Sequence, residues 1–557
     1  MDLARAHGSP VSFIAVAAIA VLALAPGEPP SAKALPPAEA DAIRLLEQST
    51  WGPTDALINA VTSIGVERFI DKQIATPATN YTQFKPWPAT RPATCVDDRT
   101  LPVTPTSYCA RDNYTLFQLQ RQFFINAVTA PDQLRQRVAF ALSQIFVTSG
   151  TDINQAYAMQ RYQQMLVDLA FGNFKDVLTR VTLSPAMGNY LDIVNNQKPN
   201  ANTGVEPNEN YAREVLQLFS IGTIELHPDG SPLLDASGRT IATYGQEEIE
   251  GFAHVFTGWT YPTEPGVAPR VGFNPRYFDG QMEERSQYHA YAGKTLLDDA
   301  TAPPNLTMSA DLANALNSIF IHPNVGPFIA KQLIQKLVTS NPSPQYVQRV
   351  ASVFNDNGAH LRGDLKAVVR AILLDSEARG PVKTDVDYGR LREPAQYAVA
   401  VARALSATTD GVFLRAQSAA MDQPVFQAPS VFNFYPPDYA VPHTAILGPE
   451  FAIQNTTTAF ARINFVNALV FGTINPDPAV YGATGTQVDW TALAAIAGDP
   501  DALVDRVDRI LMHGTLSSAA HDAIVTAVKA IKATDTLTRA KTAFYLVATS
   551  SQYQVER

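Results

Sequence analysis

The chain has 557 residues, 46% apolar and 17% charged, and a formal net charge of −10. That length and apolar content are enough to bury a large core. The acidic balance and the absence of any Lys/Arg cluster exclude a nucleic-acid backbone as partner, since no basic excess is available to replace counterions.

At the start of the chain, Arg5 and His7 precede an apolar run from Val11 to Ala25. The run is shorter than the roughly 20 residues of a spanning helix. Small-residue motifs follow at Ala23-Leu24-Ala25 and Ala32-Lys33-Ala34, so residues 1–34 read as a signal peptide and linker. The competing reading is an uncleaved anchor. No twin-arginine pair occurs, and the general secretory route is the simpler assignment. These features predict a protein exported to the periplasm or outside the cell, with no membrane span once the signal is removed. The two cysteines are Cys95 and Cys109. An oxidising compartment predicts that they pair, closing a loop rich in Pro and Thr. The loop-entropy gain is about 3 kcal/mol. No histidine lies nearby to make them a zinc site.

From residue 35 to 557 the pattern is mainly helical. "PPAEADAIRLLEQST" opens with prolines, and "PDQLRQRVAFALSQIFVTS" begins at Pro131. Apolar residues recur at helical spacing in "MSADLANALNSIFIHP", "VGPFIAKQLIQKLVTSNP", "DALVDRVDRILMHG" and "TRAKTAFYLVATS", with Gly, Pro or Asn stops. Turn chemistry at Asp229-Gly230 and Ser237-Gly238 marks a small β-hairpin inserted at His227 to Tyr244. Long irregular stretches occupy 81–113, 261–299 and 423–448. The predicted fold is therefore a large multi-helix array with long loops and one inserted hairpin. It forms a single helical domain, or two helical subdomains meeting near residue 300.

The stretch "NENYAREVLQLFSIG", Asn208 to Gly222, divides cleanly on a helical wheel. Tyr211, Ala212, Val215, Leu216, Leu218 and Phe219 fall on one half; Glu209, Asn210, Arg213, Glu214, Gln217 and Ser220 fall on the other. Asn208 suits the start, Gly222 the left-handed stop, and Glu209 and Arg213 the favourable order for an ion pair. Two carboxylates and an arginine can serve acid–base chemistry or hold a ligand, or can form the wet side of a helix. Three other constellations stand out. "EGFAHVFTGWTYP" holds His254, Thr257, Gly258 and Trp259, where the tryptophan either stacks on a sugar or packs. "YHAYAGKTLL" places His289 and Lys294 in a loop, and "PSVFNFYPPDY" (429–439) suggests a rigid packed loop. No nucleophile elbow, phosphate loop, metalloprotease or dinucleotide signature occurs. The residues assign neither a metal nor a cofactor.

"NENYAREVLQLFSIG" followed by "YGQEEIEGFAHVFTGW" resembles the signature of a bacterial family known as domain of unknown function 1800. "AIRLLEQSTWGPT", "GVERFIDKQI", "YHAYAGKTLL", "HPNVGPFIAKQLIQKLV" and "YLVATSSQYQVER" are similar to further stretches of it, in order along the chain. The family is exported, with no established activity. The resemblance implies functional weight for Glu209, Asn210, Arg213 and Glu214, and for Thr257, Gly258, Trp259, His289 and Lys294. It also implies a sulfatase-like partner encoded nearby (domain of unknown function 1501). Ala290 departs from the pattern, which has an acid after the histidine, and this weakens an acid–base or metal role for that loop.

Two readings are open. In one the protein is a hydrolase or lyase acting on a polysaccharide or other envelope polymer. Glu209, Glu214, Arg213 and His289 are then catalytic, and Asn210, Thr257, Trp259 and Lys294 bind. In the other it is a non-catalytic envelope scaffold or binding protein, and the same residues form an ion-pair network. Either way Arg213 is expected to be at least half buried and to bridge carboxylates, its loss costing roughly 3 kcal/mol or more. The helix should meet "HVFTGW" or "YHAYAGK" on its polar side. For the export signal, N-terminal sequencing of secreted material should begin just after Ala25 or Ala34; an intact Met1 on membrane-bound protein would contradict it.

Overall fold

Local capping chemistry sets several of the helix starts. Thr54, Thr307, Ser343 and Asp499 each accept a backbone N–H of the first helical turn through their side chains. The structure is a computed structural model describing residues 35–557 except 381, 382, 384 and 386 and the side chain of Pro37. The proposed export signal lies outside the described residues. Among the described residues there are 23 α-helices and only two-residue strands, so the fold is mainly α. None of these helices is long and apolar enough to cross a membrane. The apolar core runs without a break from Ala42 to Tyr553.

The elements that frame the polar sites are α1 (Pro37–Ser49), α2 (Gln133–Ile145), α3 (Asn210–Gln217), α4 (Gln246–Val255), α5 (Met308–Ile321) and α6 (Val325–Leu337). Four antiparallel pairs tie the loops down. β1 (Trp259–Thr260) pairs with β2 (Glu283–Glu284), and β3 (Lys294–Thr295) with β4 (Thr301–Ala302). The other two join distant parts of the chain. β5 (Arg390–Leu391) pairs with β8 (Val555–Glu556), and β6 (Thr408–Thr409) with β7 (Thr486–Gln487).

The expected hairpin is present in a looser form, with isolated bridges Ile224–Ala242, Leu226–Pro232 and Leu234–Thr240. Gly230 and Gly238 turn it with φ of +76° and +79°. Pro232 has no N–H to give to a ladder, which is a physical reason the bridges do not merge into strands. The cysteines pair as expected: Cys95 and Cys109 are disulfide-bonded with Cα atoms 5.1 Å apart.

Charge is buried where the two ends of the described chain meet. Glu47, Arg390, Arg392 and Glu556 are each 2% exposed or less. Arg392 pairs with Glu47 on α1 and donates to the Tyr553 carbonyl at 2.9 Å. Arg390 lies 3.1 Å from Glu556 and donates to the Lys336 carbonyl at 3.0 Å. Gln396 adds a 2.8 Å hydrogen bond to Glu556. Burial alone would raise the Glu47 carboxyl, but Arg392 and His513 beside it hold it below its ordinary range. Breaking such a pair leaves a buried charge without compensation. Arg390→Ala should therefore lower unfolding free energy by about 3–5 kcal/mol, read from a shifted denaturant midpoint. A change under about 0.5 kcal/mol, the size of a surface substitution, would show that Glu556 needs no partner.

Candidate functional site

The polar helix is shorter than its motif. α3 starts at Asn210, and the Asn208 side chain accepts the Asn210 N–H at 2.8 Å as a turn rather than as a helix cap. The chain then turns through Gly222, whose φ of +74° favours glycine; a Cβ there would also lie 2.9 Å from the Phe328 ring. Tyr211, Ala212, Val215 and Leu216 are buried, as the wheel requires.

On the other half, Arg213 pairs with Glu209 and donates to Gln246 Oε1 at 3.0 Å. Gln246 donates in turn to Glu209 Oε1 at 2.8 Å and to Glu250 at 3.2 Å. Asn210 donates to Asp192 at 3.1 Å. This is a hydrogen-bonded lattice at the surface: the Arg213 and Glu209 side chains are 45% and 31% exposed. Arg213 hydrogen-bonds one carboxylate instead of bridging two. An exposed pair of this kind contributes about 0.2–1 kcal/mol, well below the 3 kcal/mol expected of a buried one. The polar side of α3 meets Gln246 at the start of α4 and Asp192, not "HVFTGW" or "YHAYAGK".

Glu214 stands apart. It is half-buried, and its Oε2 has no hydrogen-bond partner. Burial pushes its carboxyl above the ordinary range, with the charge of Arg213 partly opposing. The hydroxyls of Tyr190 and Tyr244 are pushed to about 12, mainly by burial, with the Glu214 charge contributing to both.

The loop residues assemble elsewhere. Gly258, φ +84°, turns the chain after α4 so tightly that a Cβ would lie 3.0 Å from the Arg285 carbonyl and 3.2 Å from His289. That turn seats Thr257 against His289. Thr257 Oγ1 donates to the His254 carbonyl at 2.6 Å and accepts the Ala290 N–H at 2.9 Å. His289 Nδ1 lies 2.9 Å from the Thr257 carbonyl, and Nε2 lies 3.1 Å from Asp311 Oδ2. Lys294 Nζ reaches the same carboxylate oxygen at 2.6 Å and donates to the Ala292 carbonyl at 3.1 Å. Thr257, His289, Lys294 and Asp311 are all 5% exposed or less. Both imidazole nitrogens therefore lie beside oxygen atoms, one on each side of the ring.

Asp311 is the residue the sequence analysis missed, and a signal for it was present. It is the acid on the apolar stripe of α5, with Met308, Leu312, Ala315 and Leu316 buried beside it. An acid at a core position calls for a buried partner. It brings to His289 and Lys294 a carboxylate from another element, while Ala290 is buried in the loop.

Trp259 is 4% exposed and sits in β1 opposite Glu284, so it packs and offers no stacking surface. In the "PSVFNFYPPDY" loop Asn433 and Tyr435 are buried, while Phe432 is exposed. Tyr435 donates to Glu393 at 2.8 Å, and the Lys336 ammonium lies 4.3 Å from the centre of its ring.

α4 separates the two polar groups. Gln246 at its first turn belongs to the surface lattice, and Thr257 just past its end belongs to the buried cluster. Eleven residues of helical rise put them roughly 16 Å apart. Among the described residues no group of three His, Cys, Asp or Glu side chains is arranged to hold a metal ion.

A family model described as "Protein of unknown function (DUF1800)" matches residues 44–555, and the chain belongs to that family. No curated protein and no solved structure matches it.

The Glu214 geometry has a measurable consequence. A carboxyl raised in the folded state binds its proton more tightly there than in the unfolded chain. Stability then falls as pH rises from the unfolded carboxyl range through the folded one. Glu214→Gln removes this loss, so its thermal midpoint should exceed that of the unmodified protein at neutral pH and converge with it in acid. A variant less stable at neutral pH would mean that the carboxylate has a stabilising partner.

Proposed function

We propose that this member of the DUF1800 family is a non-catalytic, exported envelope protein that binds an envelope polymer such as a polysaccharide on the polar face of α3. The observation that carries this reading is the separation of the candidate groups. A hydrolase or lyase brings an acid and a base to one open cleft. Here Glu209 is occupied by Arg213 and Gln246 at the surface, while His289 and Lys294 are closed against Asp311 in the core. Glu209 and Glu214 are also directed about 140° apart around their helix, at 100° per residue. The lattice of carboxylate, amide and guanidinium groups is held in place by mutual hydrogen bonds and faces solvent. Such fixed donors and acceptors suit a polymer rich in hydroxyl groups. A sulfatase-like partner protein, implied by the resemblance, is compatible with the same scaffold role.

One observation favours the catalytic reading: Glu214, half-buried with an unpartnered oxygen and a raised carboxyl, has the environment of a general acid. Co-sedimentation with isolated envelope polysaccharide, combined with an assay for new reducing or unsaturated ends, separates the two readings. Retention without chain cleavage is expected. Arg213→Ala should weaken retention about tenfold, one charge-assisted contact, while changing stability by under about 1 kcal/mol. Cleavage that disappears in Glu214→Gln would replace this reading with the enzyme.

A further inference from the structure

The loop that follows β1 folds back on itself around Asn274, which is 4% exposed. The Asn274 N–H donates to Thr260 Oγ1 at 2.9 Å, and its side-chain amide donates to the Tyr261 carbonyl at 2.7 Å and to Glu283 Oε2 at 3.1 Å. Glu283 also accepts the Thr263 N–H at 2.7 Å, and Arg285 donates to Asn274 Oδ1 at 2.9 Å. The loop is thus tied to the β1–β2 pair. It encloses an open depression of about 260 Å³, whose lining includes Glu264, Val267, Arg270, Asn274, Arg276 and Tyr277.

The charges around this depression are unbalanced. Asp279 is held by Arg161 at 3.0 Å and Glu283 by Arg285 at 3.2 Å. Glu284 accepts from the Ser309 hydroxyl. Arg270 and Arg276 have no ion pair among the described residues, and neither does Glu264 between them in the sequence and the lining. Two free guanidiniums therefore face one carboxylate, in a protein whose net charge is −10. Both arginines are exposed, so a ligand reaches them from solvent. Each follows a proline, Pro269 or Pro275, whose ring fixes the backbone φ before it. The Arg276 guanidinium also lies beside the Tyr261 hydroxyl, which donates to Asn189 at 2.5 Å.

The charge pattern selects the ligand. Two guanidiniums sharing one depression repel each other, and an anion between them removes the repulsion. Guanidinium forks match oxyanions in geometry and bind them through paired N–H donors. A carboxylate has two oxygens, enough for one fork, whereas a tetrahedral phosphate or sulfate has oxygens for both. A metal cation is repelled by the arginines. The volume lies below the roughly 300 Å³ at which pockets enclose a whole small molecule, so the depression admits a charged group and leaves its carrier in solvent. We propose that Arg270 and Arg276 bind a tetrahedral oxyanion, a phosphate or sulfate group, at a site separate from the α3 face.

The test titrates the full chain with inorganic phosphate, read by phosphorus-31 line broadening, with inorganic sulfate as competitor. Saturable binding is expected. Arg270→Ala and Arg276→Ala, at exposed positions, should each weaken it about tenfold, the loss of one charge-assisted contact. Glu264→Gln should tighten it about threefold by removing a like charge across high dielectric, a gain that a merely structural role for the arginines would not produce. Binding that is absent, unchanged in both arginine variants, or lost in Arg213→Ala would each overturn the proposal. Phosphatidylglycerol vesicles and dextran sulfate, tested with the same variants, distinguish the sources. Arginine-dependent co-sedimentation with vesicles assigns a lipid headgroup, arginine-dependent retention on dextran sulfate assigns a polymer sulfate, and phosphate binding with neither assigns the free ion. Loss of envelope-polymer retention while phosphate still binds would count against the α3 reading and leave this one standing.

Discussion

The fold is closed by the paired charges at its centre. Arg390 and Arg392 stand side by side on β5 and its following residue, and reach the two ends of the described chain: Glu47 near the start and Glu556 at the finish. The adjacent Glu393 accepts from Gln144 on α2, Gln423 and Tyr435. Charges taken out of water are costly unless an opposite charge lies close by, and here the Glu47 and Glu556 carboxylates each have an arginine beside them. α1, the segment 553–556, the 423–435 loop, α2 and α6 are therefore constrained together, because any one of them leaving would expose a buried ion to an apolar surrounding. The short β5–β8 pairing supplies the register, placing Arg390 opposite Glu556.

The same logic distinguishes the two polar groups near α4. Inside, Asp311 is shared by Lys294 and His289, and the cluster locks the loop after α4 to α5. Outside, the Glu209–Arg213–Gln246 lattice is partly solvated, and its ion pair is screened by water and salt. A similar set of residue types thus plays two parts. Depth decides which, since the worth of a charge pair depends on the solvent that surrounds it. α4 spans the distance between them, and its Gly251 lets β3 approach so closely that a Cβ would lie 1.9 Å from the Thr295 carbonyl.

Sequence alone determined the helical class, the Cys95–Cys109 pairing, the turn glycines of the hairpin and the amphipathic division of α3. Each rests on a local rule: a 3.6-residue period, an even cysteine count, a positive φ. The Glu209–Arg213 pair was legible for the same reason, being four residues apart on one helix. Tertiary structure decided what periodicity cannot encode, namely how deep a polar residue lies and which distant residue meets it. Arg213 is partly exposed because that side of α3 meets only the first turn of α4 and Asp192 among the described residues. His289 and Lys294 are core residues because Asp311, on another helix, comes to meet them. Trp259 packs rather than stacks because β2 pairs alongside it. Two-residue strands such as β5 and β8, 164 residues apart from Leu391 to Val555, are too short to show an alternating pattern. Arg270 and Arg276 came to line one depression only when the hydrogen bonds of Asn274 folded their loop back on β1. Burial and long-range contact are properties of the folded chain, and a wheel or a motif reports only what lies within a few turns of one helix.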